Sequence, residues 1–231
     1  MLPVVELFRS IQGEGPSMGR PCVFLRTEGC TLSCSFCDTK YAKKALFKWP
    51  VDQVVEKVTS ELAGMRCRPR LVITGGEPFL HAEELSQVVS RVQEDYSIPV
   101  YVEVETNGTL FSWDLLKVAS QLNVSLKLSN SGNGLKYRIT EQTRELVKAL
   151  KTANKYSAYK FVVGKEEDVV EAMSLISELD ISLKDVWLMP KGSEQAELSR
   201  NRQWLFPATI AFGVNYSDRL HVAACGSKRG V

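Results

Sequence analysis

Histidine, long apolar runs and an excess of one charge are all scarce in this chain of 231 residues. It contains two histidines, and its 29 basic residues nearly balance its 27 acidic ones, which leaves a formal net charge of +2. So small a charge provides no basic field for bulk nucleic-acid binding. No apolar run approaches the roughly 20 residues of a membrane span. We therefore expect no nucleic-acid partner and no membrane partner.

Signs of export and of a disulfide framework are also missing. The N-terminal segment has no charged region followed by an apolar one, which argues against a secretory signal. Six cysteines are few for a chain that can bury a substantial core without disulfides. Reduced cysteines and no export signal together predict a cytoplasmic protein. The length and the absence of long linkers predict a single domain over residues 1–231.

Three of the cysteines form the most informative motif of the chain. Cys30, Cys34 and Cys37 have C-x3-C-x2-C spacing. Three thiolates leave one iron of a [4Fe-4S] cluster open, whereas electron-transfer ferredoxins use four cysteines for each cluster. The motif therefore favours a cluster that binds a substrate or cofactor. A zinc site would need a fourth Cys or His at short spacing; zinc, and unligated core or redox cysteines, remain alternatives.

Strand-like and helix-like runs alternate along the chain. Near-continuous apolar runs, typical of parallel strands covered on both faces, predict six strands: 22–26, 71–74, 100–105, 124–128, 159–163 and 186–189. Amphipathic helices are predicted between them from apolar spacing: around 51–62, 85–92, 141–150 after Thr140 as N-cap, and around an apolar face of Val169, Val170, Met173 and Ile176. Repeated βα units predict a parallel sheet with right-handed crossovers.

Six strands are two short of a closed eight-stranded barrel, so an open, partial barrel is the preferred architecture. A doubly wound open sheet is the alternative. In either case the chemistry belongs at the carboxyl ends of the strands. The cysteine loop, 28–42, follows the first predicted strand and is therefore expected at that edge.

Three further motifs also follow predicted strands. Gly75 and Gly76, in Thr-Gly-Gly-Glu-Pro, would let backbone groups approach the amino group of an amino-acid-like ligand. Glu105-Thr-Asn-Gly108 and the trio Ser125, Lys127 and Ser129 end the next two predicted strands. A lysine embedded in an apolar strand would need a partner if buried. A plain turn or a solvated surface would explain each of these motifs taken alone.

A glycine-rich loop near the N-terminus supplies a different set of polar groups. Gln12 and Glu14 could pair with a guanidine-like or aminopyrimidinone edge, and Arg26 on the following strand could hold a carboxylate with two hydrogen bonds. A polar surface loop with a structural arginine would explain the same residues equally well.

Taken together, the cysteine motif with Phe36, followed by Gly75-Gly-Glu-Pro78, resembles the radical S-adenosylmethionine enzymes. Within them the chain resembles the 7-carboxy-7-deazaguanine synthases, in segments that run almost from end to end: 10–15, 24–26, 37–39, 74–80, 105–108, 127–132, 160–162 and 220–221. The resemblance implies a partial (β/α)6 TIM-like barrel of the radical SAM type. It also implies a substrate loop at about 10–20, the cluster loop at 28–42 and a tail at about 214–231 that closes the site.

The resemblance further implies a reaction. A [4Fe-4S] cluster and S-adenosyl-L-methionine would generate a 5′-deoxyadenosyl radical that abstracts hydrogen from 6-carboxy-5,6,7,8-tetrahydropterin. Ring contraction with loss of ammonia would then give 7-carboxy-7-deazaguanine, a queuosine precursor, with Mg²⁺ assisting. Hard chemistry of this kind is the cofactor's, and no acid–base dyad is expected. A reducing flavodoxin or ferredoxin and a homodimer are also implied.

Site residues follow from the matching motifs. The implied cluster ligands are the three cysteines, and Thr39 is implied for magnesium. The implied substrate contacts are Gln12, Gly13, Glu14, Gly15, Arg26, Thr74 and His221. The implied cofactor contacts are Phe36, Asp38, Gly75, Gly76, Glu77, Glu105, Asn107, Ser125, Lys127 and Ser129. The terminal carboxylate of Val231 is a further candidate for reaching the site.

Two other functional classes are weighed against this interpretation. An activating enzyme that makes a glycyl radical on a partner protein would share the cysteine loop and the Gly-Gly-Glu-Pro turn, but not the set Gln12, Glu14 and Arg26. A non-enzymatic iron–sulfur or zinc module would have no need for ligand-binding turns at successive strand ends.

Overall fold

A single mixed sheet forms the frame of the protein in the computed structural model, which describes residues 1–96, 99–153, 155–226 and 228–230. Within these residues the strands are β1 Leu2–Ile11, β2 Pro21–Thr27, β3 Phe47–Trp49, β4 Arg70–Gly75, β5 Tyr101–Thr106, β6 Gln121–Val124, β7 Tyr156–Val163, β8 Val186–Pro190 and β9 Asn215–Tyr216. Their spatial order is β3-β1-β2-β4-β5-β6-β7-β8-β9. β1 is antiparallel to both of its neighbours, and every pair from β2 to β9 is parallel.

Helices connect the parallel strands. They are α1 Val51–Ala63, α2 Ala82–Glu94, α3 Trp113–Val118, α4 Leu135–Arg138, α5 Glu141–Thr152, α6 Glu166–Glu178, α7 Gln195–Phe212 and α8 Leu220–Cys225. The strands from β2 to β8, apart from β3, neighbour one another in chain order. A doubly wound sheet would reverse its strand order, so this arrangement confirms the partial (β/α)6 barrel. The sheet is open, with β3 and β9 at its two ends.

The helices bury the predicted apolar stripes against this sheet. Val54, Val58 and Leu62 of α1 and the predicted stripe of α2 are buried. Thr140 is the N-cap of α5: its hydroxyl accepts from Thr143 N in a reciprocal capping box. The α6 face differs from prediction in one position, since Val170 is 61% exposed. No helix of the described chain is long and apolar enough to cross a membrane.

The strand predicted over 124–128 is wrong in its position. β6 is Gln121–Val124, and its four residues are all buried. Ser125 N still donates to Thr106 O at 2.7 Å, but the chain then leaves the sheet. Leu126 and Leu128 are buried, whereas Lys127 faces the cavity. Buried and cavity-facing side chains therefore alternate in this loop as they would in a strand.

The N-terminal segment also differs from prediction, because the expected loop begins later than Ser10. β1 continues to Ile11 and pairs with β2 from Val4 to Ile11. The loop itself is tied at its neck, where Gln12 N donates to Arg20 O and Gly19 N donates to Gln12 O, both at 2.8 Å. These bonds fix the place of Gln12 and its neighbours at the end of the hairpin.

Candidate active site

A large cavity opens at the carboxyl ends of the parallel strands. Its volume is about 1110 Å³, and it is lined by side chains from the ends of β2, β4, β5, β7 and β8 and from the loops that follow them. The predicted site residues that line it are Gln12, Gly13, Glu14, Arg26, Cys30, Cys34, Phe36, Cys37, Asp38, Thr39, Thr74, Gly75, Gly76, Glu105, Asn107, Ser125, Lys127 and His221. Gly15, Glu77 and Ser129 do not line it. Val231 lies outside the described residues.

The cysteine loop forms one wall of the cavity. Cys30, Cys34 and Cys37 are all unpaired and partly or fully exposed. Burial raises the pKa of the Cys30 and Cys34 thiols. Among the described residues no three His, Cys, Asp or Glu side chains are placed to hold a single metal ion. Three free thiols around one open space nevertheless suit a cluster with several irons.

The glycine turn after β4 fits against this loop. A Cβ added to Gly76 would lie 1.9 Å from Gly29 O and 2.7 Å from Cys30 Cβ, so only glycine can occupy this position. Glu77 N donates to Gly29 O at 2.8 Å, which joins the two segments directly. The turn thus positions the cysteine loop as well as lining the cavity.

Glu77 itself turns away from the cavity and is fully buried. Its carboxylate accepts from Thr106 Oγ1, from Asn107 N at 2.7 Å and from Phe79 N at 3.1 Å. Burial raises its pKa to about 7 although these bonds oppose the shift. Glu77 therefore joins the turns after β4 and β5. Ser129 is likewise engaged elsewhere, through Glu171.

A group of charges is buried around Lys160, which also lines the cavity. Lys160 Nζ lies 2.7 Å from Glu105 Oε2 and 3.0 Å from Glu14 Oε2. Gln12 Nε2 donates to Glu105 Oε1 at 3.0 Å. Burial opposes ionisation of Glu14, but Lys160 and Arg219 outweigh it and hold the pKa of Glu14 well below its usual range. Buried cations and anions are tolerated here because each has a partner.

Arg26 and Lys127 reach the cavity from different sides. Arg26 Nε donates to Glu6 Oε2 at 2.8 Å, and Tyr41 Oη donates to the same oxygen at 3.1 Å. Lys127 Nζ donates to Ser125 O at 2.7 Å and to Ser125 Oγ at 2.6 Å. Burial lowers the pKa of Lys127. Both cations therefore point into the cavity from fixed positions.

The segment before and within α8 covers part of the cavity. His221 packs on Gly13, where an added Cβ would lie 2.2 Å from His221 Nδ1, and burial lowers its pKa. Arg219 bonds to Asp38 and to Gly192 O, and lies 3.2 Å from Glu14 Oε1. Sequence reasoning missed Lys160 and Arg219 as site residues. Lys160 stood in a segment already noted for its resemblance, but no local motif surrounds Arg219.

A parallel partial barrel with three free cysteines at its cavity is typical of enzymes that use radical chemistry. Comparison with known families agrees with this class. The family model of the Radical SAM superfamily matches residues 24–199, so the chain belongs to that superfamily. A curated relative from Rhodopirellula baltica, named 7-carboxy-7-deazaguanine synthase, is 32% identical over 99% of this chain and 88% of its own. One from Hyperthermus butylicus, with the same name, is 34% identical over 96% of this chain and 92% of its own. The chain therefore belongs to the family of 7-carboxy-7-deazaguanine synthases.

Solved structures agree on the fold. QueE from Escherichia coli matches with a TM-score of 0.67 at 23% identity, covering 95% of this chain and 94% of that one. An anSMEcpe structure with bound AdoMet matches with a TM-score of 0.61 at 17% identity, covering 87% of this chain and 65% of that one. At these identities the likeness shows the fold alone. The relatives' names do not favour the alternative of a glycyl-radical activating enzyme.

Proposed function

We propose that this protein converts 6-carboxy-5,6,7,8-tetrahydropterin to 7-carboxy-7-deazaguanine with loss of ammonia, in the biosynthesis of 7-deazapurines such as queuosine. The observation that carries this proposal is the match to relatives named 7-carboxy-7-deazaguanine synthase over nearly the whole chain. The single domain is inferred to span residues 1–231.

The proposed cofactors are a [4Fe-4S] cluster on Cys30, Cys34 and Cys37 and S-adenosyl-L-methionine beside it. When bound, they supply one-electron chemistry that removes a hydrogen atom from a carbon of the substrate. Gly75 and Gly76 are assigned to the amino-acid part of S-adenosyl-L-methionine through their backbone groups, and Phe36, Asn107, Ser125 and Lys127, which line the same cavity, to the rest of it. Mg²⁺ is assigned to Thr39, beside Asp38.

The pterin is assigned to the opposite side, around the buried charges. Glu105, expected from its motif to contact the cofactor, lies with Gln12 and Glu14, and we group it with the substrate contacts. Carboxylate oxygens accept from the ring N–H and amino groups of an aminopyrimidinone. Lys160 helps to lower the pKa of Glu14, and it opposes the rise in the pKa of Glu105 that burial causes. It thereby favours the ionised forms, which accept hydrogen bonds.

Arg26 is assigned to the substrate carboxylate. Its Nε is used by Glu6, while within the described residues its two terminal nitrogens donate to no protein group. A guanidinium held at Nε presents those nitrogens for a two-pronged bond to a carboxylate. Arg26→Ala is expected to raise the apparent KM for the pterin about tenfold or more, in line with a charge-assisted bond of about 1.5–3 kcal/mol. An unchanged KM would remove this role.

A closed pocket fits chemistry in which a reactive carbon centre must be kept from solvent. The N-terminal loop and the tail cover the pterin side, with His221 packed on Gly13. The electron is proposed to come from a reducing flavodoxin or ferredoxin, and the protein is proposed to be a homodimer. A cytoplasmic location stays a proposal, supported by six unpaired cysteines.

The proposal is tested by reconstituting the cluster anaerobically and adding dithionite, S-adenosyl-L-methionine, Mg²⁺ and 6-carboxytetrahydropterin. Mass spectrometry should detect 7-carboxy-7-deazaguanine in excess over the S-adenosyl-L-methionine consumed. Formation of 5′-deoxyadenosine without that product would keep the superfamily chemistry and reject the substrate.

Cys34→Ala is expected to abolish turnover, since two thiolates cannot replace three ligands of the cluster. The iron content and the visible absorbance of the cluster should decrease together with the activity. Cys67→Ala is the matched control, because Cys67 is an exposed free cysteine outside the cavity. Full activity and full iron in Cys34→Ala would contradict the ligand assignment.

A further inference from the structure

Each sulfur of the cysteine motif faces one polar side chain. Asn133 Nδ2 lies 3.3 Å from Cys34 Sγ, and Asn107 Nδ2 lies 3.6 Å from Cys30 Sγ. The hydroxyl of Thr39 lies 3.6 Å from Cys37 Sγ. Both asparagines come from outside the cysteine loop: Asn107 lies in the turn after β5, and Asn133 lies in the segment before α4. Nothing in the cysteine motif requires either of them.

The orientation of both asparagine amides is set by their other partners. Asn133 Oδ1 accepts from Ser33 N at 3.1 Å, and Asn107 Oδ1 accepts from Thr109 N at 2.9 Å. A backbone N–H can only donate, so the oxygen must lie at that end of the amide. The NH₂ group of each side chain, rather than its oxygen, thereby faces a sulfur. The same groups also lie within reach of hydroxyl oxygens, Asn133 Nδ2 at 3.2 Å from Ser131 Oγ and Asn107 Nδ2 at 3.1 Å from Thr31 Oγ1, and the two N–H bonds of each amide can serve both acceptors.

The turn before Asn133 is anchored to the core. Asn130 Nδ2 donates to Val162 O at 2.9 Å and to Asp168 Oδ2 at 2.8 Å. Ser35 N of the cysteine loop donates to Ser131 O at 2.9 Å. The segment that carries the donor to Cys34 is therefore anchored to β7 and α6 as well as to the cysteine loop.

We propose that Asn133 and Asn107 are positioning residues that set the reduction potential of the cluster by donating hydrogen bonds to two of its sulfur ligands. This inference rests on the proposed function, which supplies the cluster. Reduction adds one electron from an external donor and makes the cluster and its thiolates more negative. A donated N–H stabilises that added charge, so hydrogen bonds to sulfur raise the potential. The pair makes the cluster easier to reduce.

The test is a redox titration of the reconstituted full-length protein, followed by the electron paramagnetic resonance signal of the reduced cluster. Asn133→Ala and Asn107→Ala should each move the midpoint potential to more negative values. Ser35→Ala is the matched control: its hydroxyl donates to Asn130 O at 3.2 Å and so joins loop to turn without touching a sulfur. The potential of that variant should match the unmodified protein.

Unchanged potentials in both asparagine variants, with full iron content, would overturn the inference and leave the proposed function standing. An equal shift in Ser35→Ala would also overturn it, since loop docking would then be the cause. If the unmodified protein bound no four-iron cluster, the proposed function would fail and this inference with it.

If a variant loses its iron, the reduction potential of its cluster cannot be measured. A measurement on the unmodified protein then tests the inference. Iron–sulfur stretching bands in its resonance Raman spectrum should shift when H₂O is exchanged for D₂O, because the N–H groups exchange. The absence of any shift would overturn the inference.

Discussion

The ammonium group of Lys160 lies between two carboxylates, in a side chain that is only 2% exposed. Moving such a charge from water into a protein is costly unless partners surround it. Glu14 and Glu105 provide those partners, and Arg219 adds a second cation beside Glu14. The charges on the side of the cavity proposed for the pterin are therefore in place before any ligand arrives, which reduces reorganisation on binding.

The lowered pKa of Glu14 predicts how stability depends on pH. Its folded pKa lies below the ordinary value of 4.5, so near and below that pH the unfolded chain binds more protons than the folded one. Glu14 therefore contributes stability above about pH 4.5, and that stability is lost as the pH falls through the folded pKa. Between pH 5 and pH 3, the free energy of unfolding of Glu14→Gln should therefore fall less than that of the unmodified protein. The difference should be at least about 1 kcal/mol, since each unit of pKa is worth about 1.4 kcal/mol.

Urea denaturation at a series of pH values measures this difference. Glu167→Gln is the control, because the side chain of Glu167 is 77% exposed. The same pH profile for Glu14→Gln and for the unmodified protein would show that the ion pairs of Glu14 do not stabilise the fold.

The turn after β4 and the cysteine loop are in such close contact that they behave as one element. Gly76→Ala should therefore displace the cysteine loop, because the added methyl group would overlap backbone atoms of Gly29. Overpacking of this kind costs about 1–3 kcal/mol. We expect a lower denaturation midpoint and a marked loss of bound iron after reconstitution.

Gly64→Ala serves as the comparison for that variant. The three atoms nearest to its added methyl group would all belong to the end of the flexible Arg9 side chain, which can move away. Gly64→Ala should retain iron and activity. Full iron binding by Gly76→Ala would mean that the two segments are not coupled.

Elements with a regular apolar pattern could be predicted from the sequence, and polar interior strands could not. α1, α2 and α5 lie where spacing and the Thr140 cap placed them. β6 was misplaced because Gln121 and Asn123 are polar yet fully buried inside the barrel. They are satisfied there by one another and by Glu103, since Gln121 Nε2 donates to Asn123 Oδ1 and Asn123 Nδ2 donates to Glu103 Oε2. Such pairing joins distant segments and leaves no periodicity in the sequence.

The candidate site divides in the same way. Cys30, Gly75 and Asn107 belong to short motifs at strand ends, so their meeting at one edge follows from a parallel sheet. Arg219 and Lys160 act through partners far away in sequence: Arg219 is 181 residues from Asp38 and 205 from Glu14. Only the folded chain brings these residues together.

Three segments from distant parts of the chain meet at the mouth of the barrel, and Arg219 contacts all of them. Its guanidinium bonds to Glu14 in the N-terminal loop, to Asp38 in the cysteine loop and to Gly192 O after β8. The side chain is 9% exposed, so these bonds are largely shielded from water. Arg219 thus ties together three segments that surround the mouth of the cavity, between the residues proposed to hold the substrate and those proposed to hold the cluster.

Arg219→Lys is expected to loosen that closure without removing the charge. The three donors of a lysine ammonium share one nitrogen, whereas the five donors of a guanidinium are spread over three, so lysine cannot span the three acceptors that Arg219 reaches. The apparent KM for the pterin should rise about tenfold, the equivalent of about 1.4 kcal/mol. More 5′-deoxyadenosine should also form for each 7-carboxy-7-deazaguanine released, because an open site admits solvent. Arg202→Lys is the matched control, since Arg202 pairs with Asp218 at 3.0 Å next to Arg219 in sequence but does not line the cavity. If Arg219→Lys kept both the KM and the product ratio, the three segments would not depend on Arg219 for closure, and the packing of His221 on Gly13 would have to hold the mouth of the barrel closed.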